Sequence, residues 1–257
     1  MIDERAIIDP GAELDEGVSV GPYAIIGEGV AIAGGTRIDS HSIVKGPTKI
    51  GRDNHIYSFC SIGDDPQDKK YHGEPESRLE IGDGNTIREY CTINRGTADG
   101  GGITRLGNNN WIMANVHIAH DCLVGSNTIF ANYAAVAGHV VIEDYVVMAG
   151  YSGVHQFCRI GMYSMTAISS IVVKDVPPYL LVSGNSARPV GLNKEGLKRN
   201  GFSTEMIDQL RRAYKIVYRQ GLVVADALSQ LAKMEPQSEA VTYFARFIAE
   251  SRRGIVR

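Results

Sequence analysis

The chain has 257 residues, of which 44% are hydrophobic and 21% charged, and its formal net charge is −3. This size allows a substantial hydrophobic core, and the mild negative charge argues against nucleic acid as the main partner. No apolar run approaches the roughly 20 residues needed to cross a bilayer, and the first residues lack a signal-peptide pattern. The sequence therefore predicts a cytoplasmic protein with no membrane span.

Apolar residues recur at every sixth position through about two thirds of the chain, with one threonine among them. The series is Ile2, Ile8, Leu14, Val20, Ile26, Ile32, Ile38, Val44, Ile50, Ile56 and Ile62, then Ile81, Ile87 and Ile93, then Leu106, Ile112, Ile118, Val124, Phe130, Val136, Ile142, Met148, Val154, Ile160, Thr166 and Val172. A six-residue period is typical of a hexapeptide β-helix, in which three hexads form one triangular coil. We therefore predict an all-β parallel β-helix over residues 1–178, stabilised by the stacking of successive coils.

Two polar segments interrupt the period, near residues 63–80 and near 94–105. Long loops on a rigid scaffold are usually functional. The period ends near Pro178, and beyond it the apolar spacing becomes helical. We predict a C-terminal helical domain over 179–257, with one helix from an N-cap at Ser203 to about Gly221 and others over Ala225–Met234 and Ser238–Ser251.

The four cysteines all lie within the predicted β-helix. Cys60, Cys91, Cys122 and Cys158 each lie four positions after a repeat apolar residue, where other coils carry small or β-branched side chains. We therefore predict four free thiols in the core, and neither a zinc ribbon nor a redox motif.

Charge is unevenly distributed along the chain. Residues 1–177 carry 13 Lys+Arg and 22 Asp+Glu, whereas residues 178–257 carry 13 Lys+Arg and 7 Asp+Glu. The basic C-terminal part suits an acidic ligand or protein, or else forms solvated helix faces.

Three histidines are predicted to gather on one face of the β-helix. His120, His139 and His155 belong to hexads that begin at residues 118, 136 and 154, which lie on the same side of successive coils. His117 is at the neighbouring corner. Such a cluster is compatible with a solvated surface, with a metal site or with a general base for acyl transfer. Asp121 is a candidate partner for His120, although strand alternation would point the two side chains apart unless they lie at a corner.

Four motifs occur along the chain in a specific order. They are Asn115-Val116-His117-Ile118-Ala119-His120-Asp121-Cys122, Ala137-Gly138-His139-Val140, Val154-His155-Gln156-Phe157-Cys158 and Asn193-Lys194-Glu195-Gly196-Leu197-Lys198-Arg199. Their combination closely resembles the UDP-N-acetylglucosamine O-acyltransferase family of lipid A biosynthesis, and the resemblance runs from Met1 to Arg257. It implies a left-handed parallel β-helix with a C-terminal helical domain, assembled as a homotrimer with active sites between subunits.

The resemblance also implies the substrates and the residues that act on them. The donor would be an (R)-3-hydroxyacyl thioester on acyl carrier protein, and the acceptor the 3-position of UDP-N-acetylglucosamine. His120 would be the general base, Asp121 its orienting partner and the Gly138 N–H the oxyanion donor. The substrate-binding residues would be Asp68, Lys70, His117, His139, His155, Gln156, Asn193, Glu195 and Arg199. No cofactor and no metal are expected, and the basic C-terminal region suits the acidic acyl carrier protein.

Three positions depart from the pattern of this family. Asn94 stands where many members have the histidine of Ile-His-Arg-Gly-Thr, so N-acylation of the 3-amino analogue UDP-GlcNAc3N is an alternative to O-acylation. Asn200 replaces an arginine that commonly follows Arg199, which would remove one phosphate contact. Ile168 replaces a glycine of long-chain members and predicts a donor of about ten carbons, unless it packs between subunits. A trimeric metal-dependent hydratase of the carbonic anhydrase type is a remote alternative.

Overall fold

The computed structural model describes residues 1–74, 76–236 and 238–257. Within these ranges, short strands on the three sides of a triangular coil form three sheets. The first sheet contains β1 (Ile7–Ile8), β4 (Ile25–Ile26), β7 (Ile43–Val44), β10 (Ser61–Asp64), β13 (Thr92–Asn94), β16 (His117–Ile118), β19 (Ala135–Val136), β22 (Gly153–Val154) and β25 (Ile171–Val172). The second contains β2 (Glu13–Leu14), β5 (Val30–Ile32), β8 (Thr48–Ile50), β11 (Arg78–Ile81), β14 (Ile103–Leu106), β17 (Leu123–Val124), β20 (Val141–Ile142) and β23 (Arg159–Ile160). The third contains β3 (Ser19–Val20), β6 (Arg37–Ile38), β9 (His55–Ile56), β12 (Thr86–Ile87), β15 (Trp111–Ile112), β18 (Ile129–Phe130), β21 (Val147–Met148), β24 (Met165–Thr166), β26 (Leu180–Ser183) and β27 (Arg188–Leu192).

Each strand of the coil pairs in parallel with the strand one coil away. His117 pairs with Ala135, Ala135 with Gly153 and Gly153 with Ile171, so the register advances by one coil at each step. The repeat apolar side chains point inward and fill the centre of the coil from Val20 to Val172. The predicted all-β left-handed parallel β-helix with C-terminal helices is confirmed.

Both predicted loops leave the β-helix at the corner between the first and second sheets, which we call the loop corner. Ser61 pairs with Thr92, and Thr92 pairs with His117, so the extra residues of these two coils lie outside the strands. The first loop connects Asp64 to Arg78, and the second connects Asn94 to Ile103. A 3₁₀ turn over Ala98–Gly100 lies within the second loop. The loop corner therefore carries both insertions on neighbouring coils.

Buried asparagines form a hydrogen-bonded ladder at the corner between the second and third sheets. The backbone N–H and the side-chain amide of Asn85 both donate to Oδ1 of Asn54 at 2.9 Å. Asn110 donates in the same way to Oδ1 of Asn85, again at 2.9 Å. Thr128 completes the ladder through its backbone N–H and its hydroxyl, at 2.8 and 2.6 Å from Oδ1 of Asn110. The ladder satisfies polar groups that would be costly to bury alone.

We expect Asn85→Ala to lower the melting temperature by about 5–15 °C. The change leaves two donors of Asn110 without an acceptor, which costs about 2–4 kcal/mol, and each kcal/mol shifts a chain of this size by about 2–4 °C. Thermal unfolding followed by circular dichroism measures the shift. Asn132→Ala is the matched control, because Asn132 is exposed and outside the ladder. Equal melting temperatures for the two variants would contradict the role assigned to the ladder.

The four cysteines are buried and unpaired, as predicted. Burial raises the pKa of the Cys122 thiol to about 12 and that of Cys158 to about 11. Both thiols are therefore protonated near neutral pH and pack as small apolar side chains.

Beyond Pro178 the chain adds a strand pair before its helices. Strand β26 pairs in parallel with β24 and antiparallel with β27, a hairpin that the sequence did not indicate. The helices are α1 (Lys194–Arg199), α2 (Thr204–Arg219), α3 (Val224–Leu231) and α4 (Glu239–Glu250).

Three of the four helices agree with the sequence predictions. Ser203 caps α2 as predicted, since its hydroxyl accepts the Met206 N–H at 3.2 Å. The two later predicted helices are confirmed with ends shifted by one to three residues, whereas α1 was not predicted. The division of domains at residues 178 and 179 stays a prediction. None of the helices in the ranges that the structure describes is long and apolar enough to cross a membrane.

Candidate active site

A cleft at the loop corner brings together many of the residues that the sequence singled out. Its volume is about 580 Å³. It is lined by Gln67, Asp68, Lys69, Lys70, Thr97, Asp99, His120, His139, Gln156 and Phe157. These residues come from the two loops and from the corner turns of three successive coils. The predicted grouping of Asp68, Lys70, His120, His139 and Gln156 is thus observed around one cleft.

His120 and Asp121 form a hydrogen-bonded pair within this corner. Nδ1 of His120 lies 2.8 Å from Oδ2 of Asp121. Strand alternation does not separate the two side chains, because Asp121 takes a left-handed conformation with φ of 59° in the turn. The Asp121 side chain is fully buried, whereas that of His120 is 14% exposed toward the cleft. The corner geometry that this pairing requires is therefore present.

The Asp121 carboxylate accepts three hydrogen bonds. Besides the one from His120, Oδ1 accepts the Thr97 N–H at 2.9 Å and Oδ2 accepts the Thr97 hydroxyl at 2.7 Å. Burial by itself would raise the pKa of Asp121, but the hydrogen bonds from His120 and Thr97 outweigh it and hold that pKa below its ordinary value. The carboxylate is therefore ionised near neutral pH and can stabilise a positive charge on His120.

Gly138 packs directly against the ring of His120. A Cβ at this position would lie 2.5 Å from Cε1 and 2.7 Å from Nε2 of His120, so a larger residue would displace the imidazole. The backbone N–H of Gly138 donates to no group within the described ranges of the chain. A residue whose N–H has no protein acceptor in the described ranges thus packs against the His120 ring.

His139 borders the same part of the cleft. Its ring stacks on Phe157 with centroids 4.4 Å apart and meets the His120 ring edge-on at 5.1 Å. Burial lowers the pKa of His139, the Asp121 carboxylate opposes this and the nearby His120 adds to it. The net effect favours the neutral imidazole.

The other two predicted histidines lie outside the lining of the cleft. Nδ1 of His117 is 2.7 Å from the hydroxyl of Thr92, and burial followed by the charge of His120 lowers its pKa. His155 is exposed, and its Nδ1 lies 3.5 Å from a guanidinium nitrogen of Arg253. His117 is therefore a neutral neighbour of the site, and His155 faces solvent.

His120, Asp121 and His139 are also the one group, among residues the structure describes, whose ligand atoms could hold a metal ion. These atoms lie within 4.8 Å of one another. Both oxygens of Asp121 already accept hydrogen bonds, which come from Thr97 and His120. Such bonds are typical of a carboxylate that orients a catalytic histidine and not of a metal ligand. The hydrogen bonding therefore favours His120 and Asp121 as a pair for proton transfer.

Asn94 ends strand β13 at the start of the second loop, next to the base of the first loop. It is 3% exposed and does not line the cleft. Its amide donates to the carbonyl of Asp65 at 2.9 Å, while its own Oδ1 is buried without a partner in the described part of the chain. The structure thus places Asn94 where it fastens the loop that carries Asp68 and Lys70; its effect on acceptor choice stays a prediction.

The predicted substrate-binding residues Asn193, Glu195 and Arg199 lie at α1, away from the cleft lining. Oδ1 of Asn193 accepts the Gly196 N–H at 3.2 Å, so this side chain is the N-cap of α1. Glu195 and Arg199 are exposed to solvent. Asn200, which stands where the family often has an arginine, donates from its amide to the Gly196 carbonyl at 2.8 Å and closes the helix.

Ile168 lies at the corner between the third and first sheets. It is 68% exposed and immediately precedes Ser169, which has a left-handed φ of 57°. This aliphatic side chain therefore points outward, while its role in chain length stays a prediction.

Several lining residues were not anticipated from the sequence. Thr97 carries two of the three hydrogen bonds to Asp121, and Gln67, Lys69 and Asp99 complete the loop side of the cleft. The only signal for Thr97 is its place in Arg-Gly-Thr at the start of the second loop.

Two protein-family models match the chain. Bacterial transferase hexapeptide (six repeats) matches residues 103–138, and the second domain of Udp N-acetylglucosamine O-acyltransferase matches residues 175–256. The acyl-[acyl-carrier-protein]--UDP-N-acetylglucosamine O-acyltransferase of Alkalilimnicola ehrlichii is 52% identical over 256 residues, which cover 100% of this chain and 99% of the relative.

Solved structures agree with these matches. UDP-N-acetylglucosamine O-acyltransferase from Moraxella catarrhalis has a TM-score of 0.97 and 49% identity, covering 100% of this chain and 99% of its own. The UDP-N-acetylglucosamine acyltransferase from Bacteroides fragilis has a TM-score of 0.98 and 40% identity, covering 100% of both chains. With half of its residues shared over its whole length, the chain is an acyltransferase and belongs to the acyl-[acyl-carrier-protein]--UDP-N-acetylglucosamine O-acyltransferase family.

Proposed function

We propose that this chain transfers an (R)-3-hydroxyacyl group from acyl carrier protein to the 3-position of UDP-N-acetylglucosamine, the first step of lipid A biosynthesis. The relatives are acyl-[acyl-carrier-protein]--UDP-N-acetylglucosamine O-acyltransferases, which gives the donor carrier and the acceptor. The observation that carries the mechanism is the His120–Asp121 pair, with a distance of 2.8 Å, at the edge of the cleft. It leaves Nε2 of His120 as the nitrogen for proton transfer.

In the proposed reaction, Nε2 of His120 takes the proton from the 3-hydroxyl of the acceptor. The oxygen then attacks the thioester carbonyl carbon, and the Gly138 N–H stabilises the resulting oxyanion, a contribution of about 3 kcal/mol. Collapse of the intermediate breaks the carbon–sulfur bond, and the thiol of the carrier protein leaves with the proton from His120. Asp121 stays ionised and holds the imidazolium between the two proton transfers.

The remaining predicted residues fit a site completed by a second subunit. Asp68 and Lys70 line the cleft and would contact the sugar and acyl region, together with His139 and Gln156. The other predicted contacts are His117, His155, Asn193, Glu195 and Arg199. We propose a cytoplasmic homotrimer in which these residues reach the substrates across the boundary between subunits.

Acyl carrier protein is the proposed donor partner. The part of the chain from residue 178 onward carries 13 Lys+Arg against 7 Asp+Glu. Such a surface attracts an acidic carrier protein and accelerates encounter more than it adds affinity.

Purified enzyme assayed with a hydroxyacyl carrier protein should acylate UDP-N-acetylglucosamine with kcat/KM at least about tenfold above that for UDP-GlcNAc3N, which is about 1.4 kcal/mol of discrimination. N-acylation is the alternative because Asn94 departs from the family pattern. If Asn94 sets the choice of acceptor, Asn94→His should raise the ratio of kcat/KM for UDP-N-acetylglucosamine to kcat/KM for UDP-GlcNAc3N.

Each outcome of this assay decides between the candidates. Turnover of UDP-GlcNAc3N alone would overturn O-acylation, and no preference for the amine would end the N-acylation alternative. The hydratase alternative has no support from the relatives, which are acyltransferases over the whole length of the chain.

A further inference from the structure

Thr97 contacts both oxygens of the Asp121 carboxylate. Its backbone N–H donates to Oδ1 at 2.9 Å and its hydroxyl donates to Oδ2 at 2.7 Å. Oδ2 is also the atom that faces Nδ1 of His120 at 2.8 Å. The two contacts from Thr97 thus fix the plane of the carboxylate, and the plane determines how Oδ2 meets the imidazole.

The turn that follows Thr97 closes over the same carboxylate. The Thr97 carbonyl accepts the N–H groups of Gly100 at 3.0 Å and Gly102 at 2.7 Å, which holds the turn together. A Cβ on Gly100 would lie 2.1 Å from Cγ of Asp121, so this position packs directly on the acid. Asp121 is therefore confined by the second loop as well as by its own coil.

Arg95 anchors the segment that leads to Thr97. Its guanidinium donates to the carbonyls of Gly46 at 2.7 Å and Gly63 at 2.8 Å and to the Tyr71 hydroxyl at 3.1 Å, and it pairs with Asp65. These partners belong to the two preceding coils and to the first loop. The backbone at Thr97 is consequently held on one side by Arg95 and on the other by the glycine turn.

We propose that Thr97 is a positioning residue for the reaction, and that it acts by holding the Asp121 carboxylate in the orientation that keeps His120 ready to accept a proton. The inference rests on the proposed function, because it presumes His120 as the base. Without the hydroxyl, Oδ2 loses one of its two donors and the carboxylate is free to turn away from Nδ1. Thr97 touches neither substrate nor the reacting atoms in this role.

Thr97→Val should lower kcat about 10-fold to 100-fold, the size typical of losing an orienting partner, while KM for UDP-N-acetylglucosamine changes less than about twofold. Thr97→Ser keeps the hydroxyl and should restore kcat to within about threefold of the unmodified enzyme. Steady-state kinetics with hydroxyacyl carrier protein measures both values.

Thr128→Val is the matched control, because Thr128 is a buried threonine whose hydroxyl donates to Asn110 on another corner. It should lower the melting temperature without lowering kcat by more than about twofold. In an Asp121→Ala background, Thr97→Val should have no further effect on kcat, since no carboxylate remains to be positioned.

An unchanged kcat in a folded Thr97→Val enzyme would overturn the inference, as would equal losses in Thr97→Val and Thr97→Ser. A rise in KM without loss of kcat would also overturn it, since it would make Thr97 a substrate contact. The base itself is tested separately: full activity of His120→Ala refutes the proposed mechanism, whereas an inactive His120→Ala with a fully active Thr97→Val refutes only the role of Thr97.

Discussion

His120→Ala should lower kcat about 10²–10⁴-fold, the range that a positioned general base contributes. The remaining rate would come from the Gly138 N–H and from binding both substrates in one cleft. KM for UDP-N-acetylglucosamine should change much less than kcat. The imidazole takes up the proton in the transition state, and it is one of many groups that bind the acceptor. Initial rates over a range of acceptor concentrations separate the two effects.

His55→Ala is a suitable control for this experiment. His55 also pairs with a carboxylate, since its Nε2 lies 2.9 Å from Oδ2 of Asp39, but it belongs to the third sheet and not to the loop corner. His55→Ala should leave kcat within about twofold of the unmodified enzyme. A larger loss in His120→Ala is then due to the position of His120 in the site and not to the loss of a histidine–carboxylate pair in general. Asp121→Asn should weaken catalysis as well, because the amide no longer stabilises the imidazolium. Full activity of His120→Ala would refute the mechanism.

Much of the scaffold can be predicted from the six-residue period, because the apolar side chains pack in the same way in every coil. The period predicted that Cys91 and Cys122 are core residues, that both loops lie outside the strands and that His120 and His139 share a face, and the structure agrees with each. The strand pair β26–β27 and helix α1 escaped prediction because each is too short to show a pattern and is held by tertiary contacts.

The site was harder to predict than the scaffold, because its key contacts join residues that are distant in sequence. Asp121 has a left-handed backbone conformation, which turns its side chain toward His120. The six-residue period indicates that a corner lies here, but it does not give the backbone torsion angles at that corner. The hydrogen bonds from Thr97 to Asp121 and from Arg95 to Tyr71 of the first loop involve irregular segments that carry no period. The motifs indicate the chemistry, whereas the contacts that hold the catalytic side chains in place appear only in the three-dimensional structure.

Ile168→Gly should increase the preference for long donors over ten-carbon donors by about 10²-fold. Four further methylenes contribute about 0.8 kcal/mol each, or about 3 kcal/mol, once the side chain that stops the acyl chain is removed. Ile168 is 68% exposed at its corner, whereas Thr166 two positions earlier points into the core. We expect an acyl chain or a neighbouring subunit to cover this exposed side chain.

A series of hydroxyacyl carrier proteins from eight to sixteen carbons, compared by kcat/KM, tests this role of Ile168. Ile168→Ala should give an intermediate shift, because a methyl group shortens the acyl groove less than a branched chain does, and this grading separates steric exclusion from a general loosening of the turn. Ile7→Ala is the control, since Ile7 is also an exposed aliphatic residue but lies in the first coil. If Ile168→Gly keeps its preference for ten carbons and instead dissociates the oligomer, Ile168 packs between subunits and does not measure the acyl chain.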